Sequence, residues 1–299
     1  MISQGTRVGL GTVQWGMPYG IANRTGPPVF DEVGRMLQLG RERDVDLLDT
    51  ASAYGVSEKL LGDHHAADRG YRIVTKTRPL AVRHVAEEQV CSLISGFRDS
   101  LRSLGCDHVY GLLMQGADAL LVEGGERLWA ALEAIKAEGC AAKIGVSVYH
   151  PLQLERILDR YPLELVQLPF SVYDQRFKED RLLCRLQQRG IEVHARSVFV
   201  QGLVLLTPEE LPPRFASLRA HHADLHRWFR SHGLSVVEGC VRHCLQQPEI
   251  DRMVIGCETL AQLRAVLDAC AGDTMAELAE LARFGVRDDT VIDPTTWRN

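Results

Sequence analysis

The sequence predicts an α/β fold, a (β/α)8 TIM barrel in a single domain over residues 1–299. Three observations carry that prediction. Short apolar, β-branched runs alternate with helix-like segments in eight units, which implies parallel strands joined by helical crossovers. The 299 residues leave room for two domains by length alone, yet one such barrel takes about 250 residues. An open doubly wound sheet, the structural alternative, needs a Gly-rich phosphate loop, and the sequence holds none.

Taken in order, the first strand covers residues 7–14 and contains Gly9-Leu10-Gly11. A Gly-x-Gly after a strand hints at a dinucleotide loop, but such a turn must open directly into a helix. Here Trp15-Gly16-Met17-Pro18-Tyr19-Gly20 reads as a loop with breakers, and Gln14 stands where the third Gly belongs. Trp15 and Tyr19 either line a substrate mouth or pack beneath that loop. A helix over 31–43 precedes the strand 45–48, which stops abruptly on Asp49. A helix around 57–61 follows, then the strand 72–75, which delivers Lys76 at its end and is kept from continuing by Pro79. The remaining alternation runs helix 84–104, strand 108–114, helix 126–138, strand 143–148, helix 151–159 and strand 163–167. Helix 177–189, strand 192–198, helical segments 208–232 and 235–246, strand 252–256 and helix 260–270 complete the eight units. The tail has no periodic apolar face after about Phe284, and Trp297 either closes the site or lies on the surface.

Composition narrows the function classes. Hydrophobic content of 45% and charged content of 24% belong to ordinary globular chains with a sizeable core. A net charge of −5 with scattered Lys and Arg offers no footprint for nucleic acid. No apolar run reaches the roughly 18 residues of a membrane span, and the start, Met1 to Arg7, lacks the pattern of a secretory signal. A cytoplasmic protein is the expectation. The eight cysteines include no Cys-x-x-Cys pair and read as buried free thiols. Cys240 and Cys244, with His243 between, read as one core-facing stripe, because no second ligand pair follows. His222 and His226, four apart, lack an intervening Glu and a third ligand and read as a helix surface.

The chemistry gathers at strand ends, where a barrel keeps its active groups. An isolated Asp there is often a cap, a Tyr packing and a Lys solvated, but Asp49, Tyr54 and Lys76 follow successive strands. A phenol titrates near ~10, and a nearby ammonium makes it a better acid. Lys76 can supply that charge and Asp49 can hold it, which would make Tyr54 a general acid for a carbonyl oxygen.

Asp49-Thr50-Ala51, Tyr54-Gly55, Ser57-Glu58, Leu61-Gly62 and the strand-borne Lys76 resemble the aldo-keto reductases, and the resemblance runs from the first strand to the last helix. The resemblance implies a TIM barrel that transfers hydride from a nicotinamide to an aldehyde or ketone, a small-molecule carbonyl substrate. It places Gly11 and Thr12 of Gly-Leu-Gly-Thr at the nicotinamide, with Asp49 at the same site. Where the family normally has a His after the fourth strand, Gln115 stands here. An amide can donate to a developing oxyanion but cannot relay a proton as imidazole does. Ser147 keeps one member of the family's Ser-Asn pair and Val148 replaces the other, while Gln167 matches the Gln that contacts the nicotinamide amide. Arg196 occupies the place of an aromatic stacked on the nicotinamide, in a segment that runs to Gly202. Gly256 and Gln262 keep the spacing of the last phosphate region, where a helix N-terminus suits an anion. NADP(H) is the family expectation. Glu258, near the usual Arg, repels a 2′-phosphate and makes NAD(H) possible, unless Arg252 or Arg264 rescues it. The Leu-Gly-Thr-Val-Gln and Arg-Ser-Val-Phe elements resemble a bacterial branch, which suggests a small polar carbonyl such as a keto-sugar.

Two other readings stand beside the reductase. A Lys inside a barrel can form a Schiff base, so Lys76 could serve a lyase or aldolase. With Gln115, Val148 and Arg196 altered, the chain could also be a regulatory subunit that binds nicotinamide without turnover. The sequence leaves the oligomeric state open.

Overall fold

In a β-strand, alternate residues share a face, and here eight short parallel strands close so that one face becomes an interior. The computed structural model describes residues 7–272 and 275–297. The signal-peptide reading of the first six residues lies outside the described residues. The strands are β1 (Val8–Gly11), β2 (Leu47–Asp49), β3 (Arg72–Lys76), β4 (Val109–Gln115), β5 (Ala141–Ser147), β6 (Leu165–Pro169), β7 (Glu192–Arg196) and β8 (Arg252–Gly256). They pair in sequence order, and β8 returns to β1 with Gly256 opposite Gly11.

Leu47, Val74, Leu113 and Leu165 form a small cluster of their own, separate from the main core. Two residues further along the same strands come Asp49, Lys76, Gln115 and Gln167. The pleat therefore stacks a polar layer on an apolar one inside the barrel. Two glycines make room for the lower layer. A Cβ on Gly111 would lie 2.7 Å from Leu165, and one on Gly9 would lie 2.8 Å from Leu47.

The helices are α1 (Val13–Gly16), α2 (Phe30–Glu42), α3 (Ser57–Asp63), α4 (Glu87–Leu104), α5 (Gly125–Ala137) and α6 (Pro151–Leu158). They continue with α7 (Arg176–Glu179), α8 (Leu182–Gln188), α9 (Arg219–Ser231), α10 (Val236–Leu245), α11 (Leu260–Cys270) and α12 (Asp289–Ile292). Their apolar stripes face the sheet, as Val33, Met36, Leu37 and Gly40 of α2 do. Gly62 lets α3 touch α4, since a Cβ there would stand 2.2 Å from the Ser103 carbonyl oxygen. Ser235 and Glu238 start α10 with a reciprocal capping box.

Several expectations need correction. The first strand stops at Gly11, and residues 13–16 form the single turn α1 rather than a loop. The turn is pinned because the buried Trp15 indole donates to the Cys257 carbonyl at 2.8 Å. The expected helix 177–189 breaks where Arg181 takes φ 58°. The segment expected to be helical from 208 begins its regular helix only at Arg219, after a 3-10 stretch at Pro213–Leu218 that prolines introduce. His222 and His226 are not on a surface. Both are buried, and their Nε2 atoms meet the Leu206 and Val204 carbonyls at 2.7 and 3.0 Å. Four cysteines are buried, but Cys106, Cys140 and Cys184 are partly exposed and Cys91 is exposed. Trp297 packs edge-on against Phe215, with its indole on the Thr290 carbonyl, away from the cavity described below. No described helix is long and apolar enough to cross a membrane.

Candidate active site

The polar layer is built around Lys76. Its side chain is buried and gives its three N–H donors to Asp49 Oδ1 at 2.7 Å, Asp49 Oδ2 at 2.8 Å and the Thr50 carbonyl at 2.9 Å. A buried charge needs such saturation. Burial pulls the Lys76 ammonium below its usual range, with Asp49 pulling the other way. Gln167, also buried, donates from Nε2 to Asp49 Oδ1 at 2.6 Å, and Ser147 donates to Gln167 Oε1 at 3.5 Å. Ser147, Gln167, Asp49 and Lys76 are thus one network across four strands.

The neighbouring Thr12, Thr50 and Ser57 lock the strand ends. Thr12 Oγ1 donates to the Asp49 carbonyl at 3.0 Å, and Ser57 Oγ lies 2.6 Å from Thr12 Oγ1 and 3.1 Å from Thr50 Oγ1. Glu58 accepts from Thr75 Oγ1 at 2.6 Å. The Ser-Glu pair of the sequence signature therefore holds α3 to the barrel rim. This fixes the far end of the segment that carries Tyr54, which runs from β2 to α3.

A cavity of about 390 Å³ opens at the ends of β1, β2, β7 and β8. Of the residues singled out in the sequence, Gly11, Thr12, Asp49, Tyr54, Arg196, Gly202, Gly256, Glu258 and Gln262 line it. Lys76, Ser147, Gln167 and Gln115 do not. Ser147 and Gln167, expected at a nicotinamide, are hydrogen-bonded into the network on Asp49. Gln115 shares the inner face with them, and its Oε1 is buried without a partner while its backbone N–H donates to Thr77 Oγ1. The structure does not place Gln115 on the cavity beside Tyr54.

Lys76 is expected to acidify Tyr54, yet on balance the phenol is raised. The ammonium sits over the Tyr54 ring, 5.0 Å from its centroid, with its donors already spent. Burial, and then the Asp49 charge, push the Tyr54 phenol above its ordinary value, and the cation opposing that rise is Arg196. Tyr19 of the same lining is raised chiefly by burial and next by Tyr54, with Arg196 again opposing. Arg196, expected to stack on a cofactor, lines the cavity and packs on a neighbouring aromatic ring. Its guanidinium lies over the Tyr149 ring, 4.1 Å from the centroid, and donates to the Val148 carbonyl at 2.9 Å and to Ser197 Oγ at 3.2 Å.

One wall carries unusual backbone. Ser197, Val200 and Gln201 have φ of 61°, 49° and 53°, and Gly202 follows at 91°. Left-handed backbone at a β-branched residue is strained and persists only where the surroundings enforce it. Here Ile21 donates to the Gln201 carbonyl at 2.9 Å. The loop after β1 is thereby seated on this wall. Asn23 of that loop lines the cavity with its buried Nδ2 unpartnered.

At the start of α11 the expected anion site meets two carboxylates. Glu32 takes the Leu260 N–H at 2.7 Å, and Glu258, hydrogen-bonded to Gln14, faces the cavity. Gln262 folds back to accept the Glu258 N–H at 2.7 Å. Arg252 does not rescue a phosphate here, because it begins β8 at the opposite barrel end and lies 3.2 Å from Asp46. Arg264 is exposed and outside the cavity. Sequence reading missed Gln14, Asn23 and Tyr149. Tyr149 lies two residues beyond Ser147, where a search of every strand end would have reached it; Asn23 gave no local signal.

The model of the Aldo/keto reductase family matches residues 7–282. No curated protein matches the chain in sequence. Among solved structures, the holo form of an aldo-keto reductase from Bacillus halodurans is similar at TM-score 0.72 and 18% identity, with 95% of this chain and 94% of that chain covered. A glycerol dehydrogenase from Gluconobacter oxydans is similar at TM-score 0.69 and 20% identity, covering 93% of this chain and 90% of that one. At such identities the likeness speaks to the fold.

Proposed function

This chain belongs to the aldo/keto reductase family, and from that premise we propose that it reduces an aldehyde or ketone with Tyr54 as proton donor. The observation that carries the reading is the joint position of Tyr54 and Asp49 on one cavity, with Lys76 saturated directly beneath. The residues present fit a nicotinamide cofactor. Glycines 11, 202 and 256 keep the walls open, the unpartnered Asn23 Nδ2 is a donor for an anionic or carbonyl oxygen, and left-handed backbone at Ser197 and at 200–202 borders the space. Such a cofactor supplies the hydride that the carbonyl carbon accepts.

The protein's own part is to hold and deliver the proton. The Tyr54 hydroxyl donates a hydrogen bond to the carbonyl oxygen and releases its proton as negative charge builds there. Arg196 eases that release by its charge. Lys76 positions the ring from below and, with Asp49, Gln167 and Ser147, forms a rigid floor. A Schiff base on Lys76 is disfavoured, because all its donors are engaged and its side chain is enclosed. For the cofactor we propose a preference for NADH. Glu32 and Glu258 stand at the start of α11, and Arg196 is the one Arg or Lys among the cavity residues.

The test is turnover of a panel of carbonyls with NADH and NADPH in turn. Tyr54→Phe is expected to lower kcat by at least about 100-fold, the low end for losing a general acid, with cofactor Kd within about twofold. Undiminished turnover would remove the assignment, and absence of turnover on every carbonyl despite tight cofactor binding would favour the regulatory reading.

A further inference from the structure

We infer that Arg196 determines substrate specificity by receiving an anionic group next to the reacting carbonyl, so that the preferred substrates are 2-oxo acids or carbonyls with an adjacent carboxylate. The inference rests on Tyr54 being the proton donor. Arg196 ends β7 and lines the same cavity as Tyr54 and Asp49. Two of its five N–H donors go to the Val148 carbonyl and Ser197 Oγ, which leaves three for a ligand. Stacking on Tyr149 fixes the plane of the guanidinium.

Among the described residues Arg196 forms no ion pair, although carboxylates are near. Asp49 is neutralised by Lys76, Asp174 is held by Arg176 at 2.8 Å, and Glu258 is engaged by Gln14. A guanidinium with no carboxylate in ion-pair contact therefore shares the cavity with the Tyr54 hydroxyl. Its charge also opposes the rise of both the Tyr54 and the Tyr19 phenols. A planar guanidinium matches a carboxylate in shape and charge. A carboxylate seated on it brings the neighbouring carbonyl to the Tyr54 side of the cavity, and a neutral carbonyl lacks this anchor.

Pyruvate, methyl pyruvate and the unreactive isostere oxamate test this on the full chain with its reduced cofactor. The parent protein is expected to prefer pyruvate to its ester in kcat/KM. Arg196→Met is expected to lower that acid-to-ester ratio about 10- to 100-fold, the factor for a charge-assisted hydrogen bond, and to weaken oxamate binding in calorimetry similarly. Arg196→Lys should recover part of both. An unchanged ratio in folded Arg196→Met overturns the inference, as does a loss confined to cofactor affinity, which would assign the guanidinium to the cofactor. Should neither variant fold, the parent decides: ester reduced with no preference for the acid and no oxamate binding overturns it. If oxamate binds through Arg196 while no carbonyl is reduced, the anion site stands and the reductase reading falls.

Discussion

Replacing Asp49 by Asn isolates the electrostatics of the polar layer. The Lys76 ammonium is enclosed and keeps two of its three hydrogen bonds on the Asp49 carboxylate, at 2.7 and 2.8 Å. At an effective dielectric of about 20, opposite charges about 3 Å apart attract by roughly 5 kcal/mol. Removing one partner of a buried pair costs about 3–5 kcal/mol, because the other charge remains without compensation. Gln167 Nε2 keeps only a neutral acceptor in the variant. Asp49→Asn is therefore expected to lose about 3–5 kcal/mol in urea unfolding at pH 8. The double variant Asp49→Asn/Lys76→Met removes both charges and is expected to recover at least about half of that loss. A single variant within about 1 kcal/mol of the parent, or a double variant no more stable than the single one, would refute the claim that this pair holds the floor of the site.

Two further outcomes follow from other parts of the structure. Glu258 faces the cavity where the cofactor's far end is proposed to lie, and a 2′-phosphate within about 4–5 Å of it meets roughly 2 kcal/mol of repulsion even in water-like dielectric. Fluorescence titration should show NADPH binding about 30-fold more weakly than NADH, and Glu258→Gln should narrow that gap; equal affinities in the parent protein would count against the cofactor proposal. Burial pushes His222 down to about 4 from 6.5, so the unfolded chain binds its proton more readily. This contribution is fully present above about pH 6.5 and is lost as pH falls toward 4, by about 3 kcal/mol. His222→Gln should flatten the acid side of the stability profile, and identical pH dependence in parent and variant would show that His222 is not held neutral.

The sequence by itself determined the alternation of strands and helices, because the periods of pleat and helix are local properties of the chain. It also placed Asp49, Tyr54 and Lys76 at adjacent strand ends, since β2 and β3 are neighbours in sequence and in space. Even the polar layer is implicit there, two residues past each leucine or valine of the apolar layer. Tertiary structure alone decided which partners those side chains take. Gln167 reaches Asp49 across 118 residues, and that contact joins β6 to β2 in the floor of the site. His222 and His226 carry no surface role because the loop after β7 folds back onto α9 and presents its carbonyls. The direction in which the Tyr54 phenol shifts depends on how much water the closed barrel excludes and on where Arg196 comes to rest. Desolvation and charge at such a point sum over residues far apart in the chain, and no local pattern in the sequence encodes that sum.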